Sequence, residues 1–95
     1  MTGQFVLSLS GRDKGRIHVI VSFDAEKALV FLCDGKTRKV EKPKPKKLKH
    51  IKFLSLRDEL LTCAIHEGNL SDRMIREAIS RIEMKESRRD CSAEG

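Results

Sequence analysis

Three cysteines and three histidines are the side chains of this sequence most able to bind a metal ion. Cys63 and His66 are three residues apart, so on a helix they would lie on one face and could offer two ligands. A structural zinc site needs four ligands, and no second Cys or His pair stands at ligand spacing. We therefore expect no metal and no other cofactor. The odd number and wide spacing of the cysteines also predict no disulfide framework.

Patterns that carry catalysis are missing from the sequence. It contains no paired-carboxylate pattern, no Gly-x-Ser-x-Gly turn and no phosphate-binding loop. Cys33 ends an apolar run of strand length, where a buried thiol is more common than a nucleophile. The chain is therefore expected to bind a partner and not to be an enzyme.

The basic residues are concentrated in one short stretch. Residues 36–52 contain nine Lys and Arg residues and a single acid, Glu41, whereas the whole chain has a net charge of +6. A compact positive segment suits a polyanion, and nucleic acid is the commonest one. The alternative is a solvated basic loop that aids solubility.

A second basic feature lies between two glycines, in residues 11–16, which we call the rim loop. Gly11 and Gly15 can take backbone angles closed to other residues, and Arg12, Lys14 and Arg16 stand between and beside them. Such a loop could press its backbone against a phosphodiester chain while the cations neutralise phosphates. The alternative is an ordinary glycine turn whose charged side chains point into solvent and bind nothing.

The elements that must position these cations are predicted to be short strands. Apolar segments indicate strands at residues 5–9, 16–23, 28–33 and 48–53. The Asp34-Gly35 pair predicts a two-residue hairpin that would hold Lys36, Arg38 and Lys39 on a further strand. Two prolines in residues 41–47 predict a break in regular structure. Five short, closely connected strands favour a small β-barrel.

Helical periodicity begins after Phe53. Leu60, Leu61, Ala64 and Ile65 predict one amphipathic helix, with Ser55 as its N-cap and Gly68 as its end. A second helix is predicted after Ser71, with an apolar stripe of Ile75, Ala78, Ile79 and Ile82 and an exposed Asp72–Arg76 pair. The two helices are expected to cover one side of the barrel, and a docking surface for a protein partner is the alternative.

Residues 5–53 resemble a KOW domain, the SH3-like barrel module of ribosomal proteins and NusG-type transcription factors. The segment Gly11-Arg-Asp-Lys-Gly15-Arg-Ile is similar to that family's central loop. The likeness is greatest to the large-subunit ribosomal protein type numbered fourteen in archaea and eukaryotes, and to its small bacterial relatives. It extends through Leu48-Lys-His-Ile51 and the Ser-Asp helix starting at Ser71, although His18 stands where many KOW domains have a glycine.

The resemblance implies an SH3-like (KOW) barrel with a helical C-terminal extension, and contact with RNA through the rim loop and the predicted hairpin. Together with the charge distribution, it predicts these RNA-binding residues: Arg12, Lys14, Arg16, Lys36, Arg38, Lys39, Lys42, Lys44, Lys46, Lys47 and Lys49. Ribosomal RNA is the expected partner, with ribosomal proteins as further ones. The alternative is a KOW-type protein-interaction adaptor in transcription or translation, whose basic stretch faces an acidic protein surface.

The aromatic content narrows the mode of binding. The chain has four Phe and no Trp or Tyr. SH3-like barrels that read proline-rich peptides or methyl-lysine need an aromatic groove or cage, and stacking on single-stranded RNA needs exposed aromatic side chains. With most of its Phe residues at core-like positions, the chain is expected to recognise the backbone and shape of folded RNA with Arg and Lys.

The sequence also predicts how the chain is organised. We expect a barrel over residues 1–54, a helical extension over 55–86 and a disordered tail over 87–95. No apolar run is long enough for a membrane-spanning helix, and the first residues do not resemble a signal peptide. The expectation is a cytoplasmic protein that is a monomer when free.

Overall fold

A computed structural model describes the backbone of residues 2–94 and the side chains of residues 2–83. The strands are β1 (Gln4–Ser8), β2 (Ile17–Asp24), β3 (Leu29–Cys33), β4 (Lys44–Lys47) and β5 (Ile51–Arg57). A 3₁₀ helix (Leu48–His50) joins β4 to β5, and the helices α1 (Glu59–Glu67) and α2 (Asp72–Glu94) follow. The expected order of strands followed by two helices is confirmed.

The five strands form one antiparallel sheet in the order β4-β3-β2-β1-β5. Its two outer strands, β4 and β5, are not paired with each other within the described residues, so the sheet is open. The closed barrel expected from the sequence is therefore not seen. A five-stranded antiparallel sheet with a helical extension is what the chain forms.

This open sheet is strongly curled. Two strands separate β4 from β1, which would place them about 14 Å apart in a flat sheet, yet Lys46 Nζ on β4 lies 2.7 Å from Ser8 Oγ on β1. The 3₁₀ helix spans the two sheet edges, since Leu48 N–H donates to the Ala28 carbonyl and Leu9 N–H to the His50 carbonyl. The curl brings residues that are distant in the sheet onto one concave face.

Each face of the sheet has its own apolar core. The concave face holds Val6, Ile20, Val30, Leu32 and Ile51. The opposite face packs against the helices, and its buried residues are Phe5, Ile17, Val19, Cys33, Leu61, Ile75, Ala78, Ile79 and Ile82. The helices thus cover one side of the sheet, as expected, except that Leu60 is 69% exposed.

The prediction of a hairpin at Asp34-Gly35 is wrong. β3 pairs with β4, so that Leu29 lies opposite Lys47 and Leu32 opposite Lys44. Residues 34–43 form a loop, which we call the basic loop. The segment with two prolines, expected to be irregular, supplies β4 because an edge strand can leave Pro45 without an N–H donor.

Two of the four Phe side chains are exposed, contrary to the expectation of core positions. Phe23 is 50% exposed and Phe53 is 40% exposed. The register of β2 with β3 shifts between Ile20 and Ser22, which is a β-bulge, and the bulge changes which side chains share a face. Strict alternation along β2, as the sequence predicts it, therefore fails after Ile20.

The helix ends follow local capping rules. Asp58, and not Ser55, caps α1, because β5 runs to Arg57 and the Asp58 carboxylate accepts from the Leu60 and Leu61 N–H groups. Gly68 ends α1 with a φ of 74°, as predicted. The Ser71 hydroxyl accepts from the Met74 N–H, which confirms it as the start of α2.

The backbone of α2 runs on to Glu94, beyond residue 87, where the sequence predicts the tail to begin. Side chains from residue 84 onward, and all of Gly95, lie outside the described residues. Disorder of residues 87–95 stays a prediction.

Candidate nucleic-acid interface

The rim loop is fixed to the start of the sheet by backbone hydrogen bonds. The Gly15 N–H donates to the Ser8 carbonyl at 2.8 Å, and the Ser8 N–H donates to the Arg16 carbonyl at 3.1 Å. Gly11 and Gly15 have φ values of 83° and 84°, in the left-handed region that favours glycine. The loop therefore has the tight glycine-bounded form that the sequence predicts, with Arg12, Lys14 and Arg16 exposed.

The basic loop is folded around the carboxylate of Asp34. Asp34 Oδ1 accepts from the Lys36 N–H at 2.9 Å and from the Arg38 N–H at 2.8 Å. A side chain that binds the N–H groups ahead of it offers the backbone an alternative to a hairpin ladder. Lys36, Arg38 and Lys39 are thus held on a closed loop and not on a strand.

Helix α2 is docked directly on the basic loop. The Val40 N–H donates to Asp72 Oδ1 at 2.8 Å, and the Arg76 guanidinium donates to the Gly35 carbonyl at 2.7 Å. Asp72 and Arg76 were expected to form an exposed pair with each other, and both instead bind the loop. The helix therefore holds the basic loop in place.

Replacing Gly35 with Ala should loosen this docking. A Cβ there would lie 2.8 Å from Arg76 Cγ and even closer to the Asp72 carbonyl oxygen, and the φ of 78° is strained for Ala. We expect a loss of about 1–3 kcal/mol in the free energy of unfolding. Gly68→Ala is the matched control, with a similar φ and open space at its Cβ. Equal losses in urea unfolding would contradict a specific contact between loop and helix.

The rim loop and the basic loop meet at a groove with a volume of about 270 Å³. We call it the arginine groove. Its lining residues are Arg12, Asp13, Arg16, His18, Asp34, Thr37 and Arg38. The structure thus brings together cations that are more than twenty positions apart in the sequence.

Two more grooves continue this surface toward α2. The first shares Arg16 and Asp34 with the arginine groove and adds Lys36, Arg76 and Glu83. The second shares Lys36 and Arg76 and adds Arg81. Together the three grooves are lined by six cations, namely Arg12, Arg16, Lys36, Arg38, Arg76 and Arg81. We call this surface the basic face.

The acids along the basic face are partly neutralised within the protein. Asp13 is paired with Lys46, Asp34 accepts two backbone N–H groups, and Glu77 is 3.1 Å from the Arg73 guanidinium. Arg81 also lies 3.7 Å from Asp58, a long and partly exposed pair of little strength. Glu83 lines the surface as well, so four acids stand against six cations and the surface keeps an excess of positive charge.

Lys46 is not available to a ligand, contrary to the prediction. Its side chain is 8% exposed and points across the concave face. Its ammonium donates to Ser8 Oγ, the Ser10 carbonyl and Asp13 Oδ1, each at 2.7 Å. These three acceptors use all three N–H groups, which makes Lys46 a structural residue.

Asp13 is the acid that makes this buried lysine possible. Burial alone would raise its pKa, but hydrogen bonds from Lys46 and Ser8 and the charges of Lys46 and Lys44 outweigh burial and lower the pKa to about 2. Lys44 Nζ lies 3.8 Å from Asp13 Oδ2, so Lys44 is also turned inward from the surface predicted for it. The carboxylate is charged at any pH near neutrality.

The other predicted lysines lie outside the three grooves. Lys14, Lys39, Lys42, Lys47 and Lys49 are all exposed. Arg76 and Arg81 are the groove residues that sequence reasoning missed. In the sequence, these two arginines are marked only by their position beside the predicted apolar stripe of α2, where Arg76 follows Ile75 and Arg81 precedes Ile82.

His18 forms the floor of the arginine groove together with Asp13. Its side chain is fully buried, and its Nδ1 lies 3.2 Å from the Arg16 carbonyl oxygen. A carbonyl oxygen only accepts, so Nδ1 carries the proton and Nε2 of the neutral ring is an acceptor. Burial lowers the pKa of His18 below its usual 6.5, which favours this neutral form.

In the neutral form of His18, two buried acceptors face each other on this floor. His18 Nε2 and Asp13 Oδ2 are 3.7 Å apart. Among the described residues, neither atom has a hydrogen-bond partner. Such a pair is unfavourable unless a donor lies between the two atoms.

Cys33 is a buried thiol, as the sequence predicts. Burial, together with the nearby Asp72 and Asp34, raises its pKa to about 12.

In the described part of the chain, no group of three or more His, Cys, Asp or Glu side chains could hold a metal ion. None of its helices combines the length and apolar character needed to cross a membrane.

Comparison with known proteins adds no family to this description. No protein-family model matches the chain, and no curated protein matches it.

Proposed function

We propose that this protein binds folded RNA, ribosomal RNA in particular, through the basic face, and that it acts at the ribosome without catalysis. The observation that carries the proposal is the meeting of the rim loop, the basic loop and α2 along three adjoining grooves with six cations. Backbone phosphates are the ligand class that an extended row of Arg and Lys recognises best.

The fold favours the same proposal. The strong curl of the five-stranded sheet and the glycine-bounded rim loop agree with the SH3-like, KOW-type barrel that the sequence resembles. We propose that fold class here on the resemblance and the curl together. In this form a rigid sheet presents the rim loop and the basic loop side by side, which suits recognition of a folded RNA by shape.

Affinity for RNA should depend steeply on salt. If about six phosphates are neutralised, binding should weaken by about a thousandfold between roughly 50 and 200 mM monovalent salt, because bound counterions are released. Titration of the protein into large-subunit ribosomal RNA fragments at several salt concentrations measures the slope. A slope that indicates one or two contacts would contradict an extended basic face.

Crosslinking in cells tests the biological target. The expected result is enrichment of a defined segment of ribosomal RNA among the sequences attached to the protein. A pull-down before and after ribonuclease treatment tests the adaptor alternative. Protein partners that persist without RNA, in the absence of ribosomal crosslinks, would refute the proposal and favour a protein-interaction adaptor.

A further inference from the structure

We propose that the outer edge of β5 is a docking site for a protein partner, which adds a short extended segment of alternating apolar and acidic residues as a further strand of the sheet. Addition of a strand to an exposed sheet edge is a common mode of peptide recognition. The site shares no residue with the basic face, so it goes beyond RNA binding and does not depend on it.

The backbone of Phe53 is the centre of this edge. The Leu9 N–H donates to the His50 carbonyl at 2.9 Å, and three positions further along the same ladder Val6 lies opposite Phe53. Hydrogen-bonded and non-hydrogen-bonded pairs alternate in an antiparallel ladder, so Val6 and Phe53 form a non-hydrogen-bonded pair. The Phe53 N–H and C=O groups therefore point away from β1, toward the outer edge.

Within the described residues, no other strand pairs with that edge of β5. The strand pairs with β1 alone, and Phe53 takes no part in the backbone hydrogen bonds that link other segments. Its side chain is 40% exposed, although the opposite residue on the same face, Val6, is fully buried. An incoming strand would therefore meet a free donor, a free acceptor and an exposed aromatic ring at one position.

The two outer edges of the sheet differ in composition. Three of the four residues of β4 are lysines, and the fourth is Pro45, which has no N–H to offer. Lysine and proline are the residues with which natural proteins protect an edge from pairing. The seven residues of β5 include four large apolar side chains and only two cations, Lys52 and Arg57. One edge is thus protected from strand addition and the other is not.

A β-bulge limits the length of the docking site. The register of β1 with β5 shifts between Gln4 and Val6, so the irregular part of β5 lies beyond Phe53. A bulge twists an edge and hinders further pairing, which makes the second half of β5 a poor template. Docking is therefore expected around residues 51–53, and a short segment of the partner is enough to fill it.

The charges along the edge select an acidic partner. Residues 49–57 contain no acid and three exposed cations, namely Lys49, Lys52 and Arg57. On an added strand, the residue opposite Phe53 shares the face of its ring and should be apolar, whereas its neighbours share the face of Lys52 and should be acidic. A second copy of β5 would bring like cations together, and the net charge of +6 on each chain adds to the repulsion.

A short synthetic peptide of alternating Val and Glu tests the site on the full chain. Its binding should slow the hydrogen exchange of the Phe53 amide, followed by NMR, by at least about tenfold, because the N–H gains an acceptor. The same peptide with Lys in place of Glu should bind at least about tenfold more weakly. Unchanged exchange at Phe53, or equal binding of the two peptides, would overturn the proposal.

Methylation of the peptide backbone separates strand pairing from simple charge attraction. In an added strand, the amides of alternate residues face β5 and the others face solvent. N-methyl groups on the first set should abolish binding, and N-methyl groups on the second set should change it by less than about threefold. Equal effects of the two sets would show that the peptide does not bind as a strand.

Variants of the chain test the same edge from the other side. Lys52→Glu should weaken binding of the acidic peptide by about tenfold, whereas Lys27→Glu, the same change in charge at an exposed residue outside β5, should not. Phe53→Ala should also weaken binding, because the ring no longer covers the partner. Should a variant fail to fold, the two peptide series on the unmodified protein still decide.

RNA and a second copy are the other occupants that these experiments identify. Loss of RNA affinity in Phe53→Ala would show that the ring stacks on a base, and a protein partner would then be the wrong assignment. Slow exchange at Phe53 that develops with protein concentration alone would favour a dimer through β5 and equally contradict the proposal. A chain that binds the peptide and no RNA would refute the proposed function and leave the docking site standing.

Discussion

Replacing Asp13 with Ala is expected to lower the free energy of unfolding by about 3–5 kcal/mol, because it leaves a buried ammonium without a counter-charge. The side chain of Lys46 is 8% exposed, and its remaining acceptors are the uncharged Ser8 hydroxyl and Ser10 carbonyl. Urea unfolding followed by circular dichroism measures the loss, since the chain has no Trp or Tyr for fluorescence.

Two further variants identify the cause of that loss. Glu26→Ala removes an exposed acid and should change stability by less than about 0.5 kcal/mol. The double variant Asp13→Ala/Lys46→Met should recover most of the loss, since a buried pair can be replaced by apolar side chains at little cost. Asp13→Ala with unchanged unfolding in urea would show that Lys46 does not depend on its partner.

The same pair should govern stability in acid. The pKa of Asp13 is about 2 in the folded protein and 3.8 in an unfolded chain, so the unfolded state takes up the proton first. The contribution of Asp13 is complete above pH 3.8 and is lost as the pH falls toward 2. Asp13→Ala should lack this part of the acid transition.

Removal of the three groove arginines is expected to weaken RNA binding by roughly a hundredfold to a thousandfold. The variant is Arg12→Gln/Arg16→Gln/Arg38→Gln, and the estimate assumes one lost charge-assisted contact for each residue. Glutamine is preferable to glutamate here because Asp13 and Asp34 already lie in the groove. The slope of log affinity against log salt should also decrease by about 2–3.

A control with the same change in charge tests whether position matters. Lys27, Lys52 and Arg57 are exposed and lie outside the three grooves. Their replacement by Gln should reduce RNA affinity only slightly, through the lower net charge. Equal losses for the two triple variants would show that RNA responds to total charge and not to the basic face.

Much of the fold follows from local signals in the sequence. The apolar runs of β1, β2 and β3 and the apolar stripe of α2 are strong signals of strands and of a helix. Gly68 and Ser71 are residue types that commonly end and begin helices. The prediction of a hairpin at Asp34-Gly35 was wrong because an Asp-Gly pair is compatible with two structures, a hairpin turn and a loop closed on the Asp carboxylate. The Asp34 carboxylate takes the N–H groups of Lys36 and Arg38, and this loop excludes a ladder between β3 and residues 36–40.

The candidate site could be predicted only in part. The basic residues of the rim loop and the basic loop can be identified in the sequence. That they line one groove cannot, because it depends on the curl of the sheet. The burial of Lys46 depends on register, since it lies opposite Val30 and shares the concave face with it. The sequence marks His18 only as a possible metal ligand and as a departure from the KOW pattern, because its contact with the Arg16 carbonyl oxygen is a property of the folded chain.

The pairing of β1 has a consequence for synthesis of the protein. β1 lies between β2 and β5, and the cover of Phe5, Ile17 and Val19 comes from helices near the other end of the chain. A nascent chain that has emerged only through β4 therefore exposes β1 as an edge strand in place of β5, and its apolar surface is not yet covered. Messages truncated after β4 should yield products that aggregate or are degraded, because folding is complete only once α2 has left the ribosome.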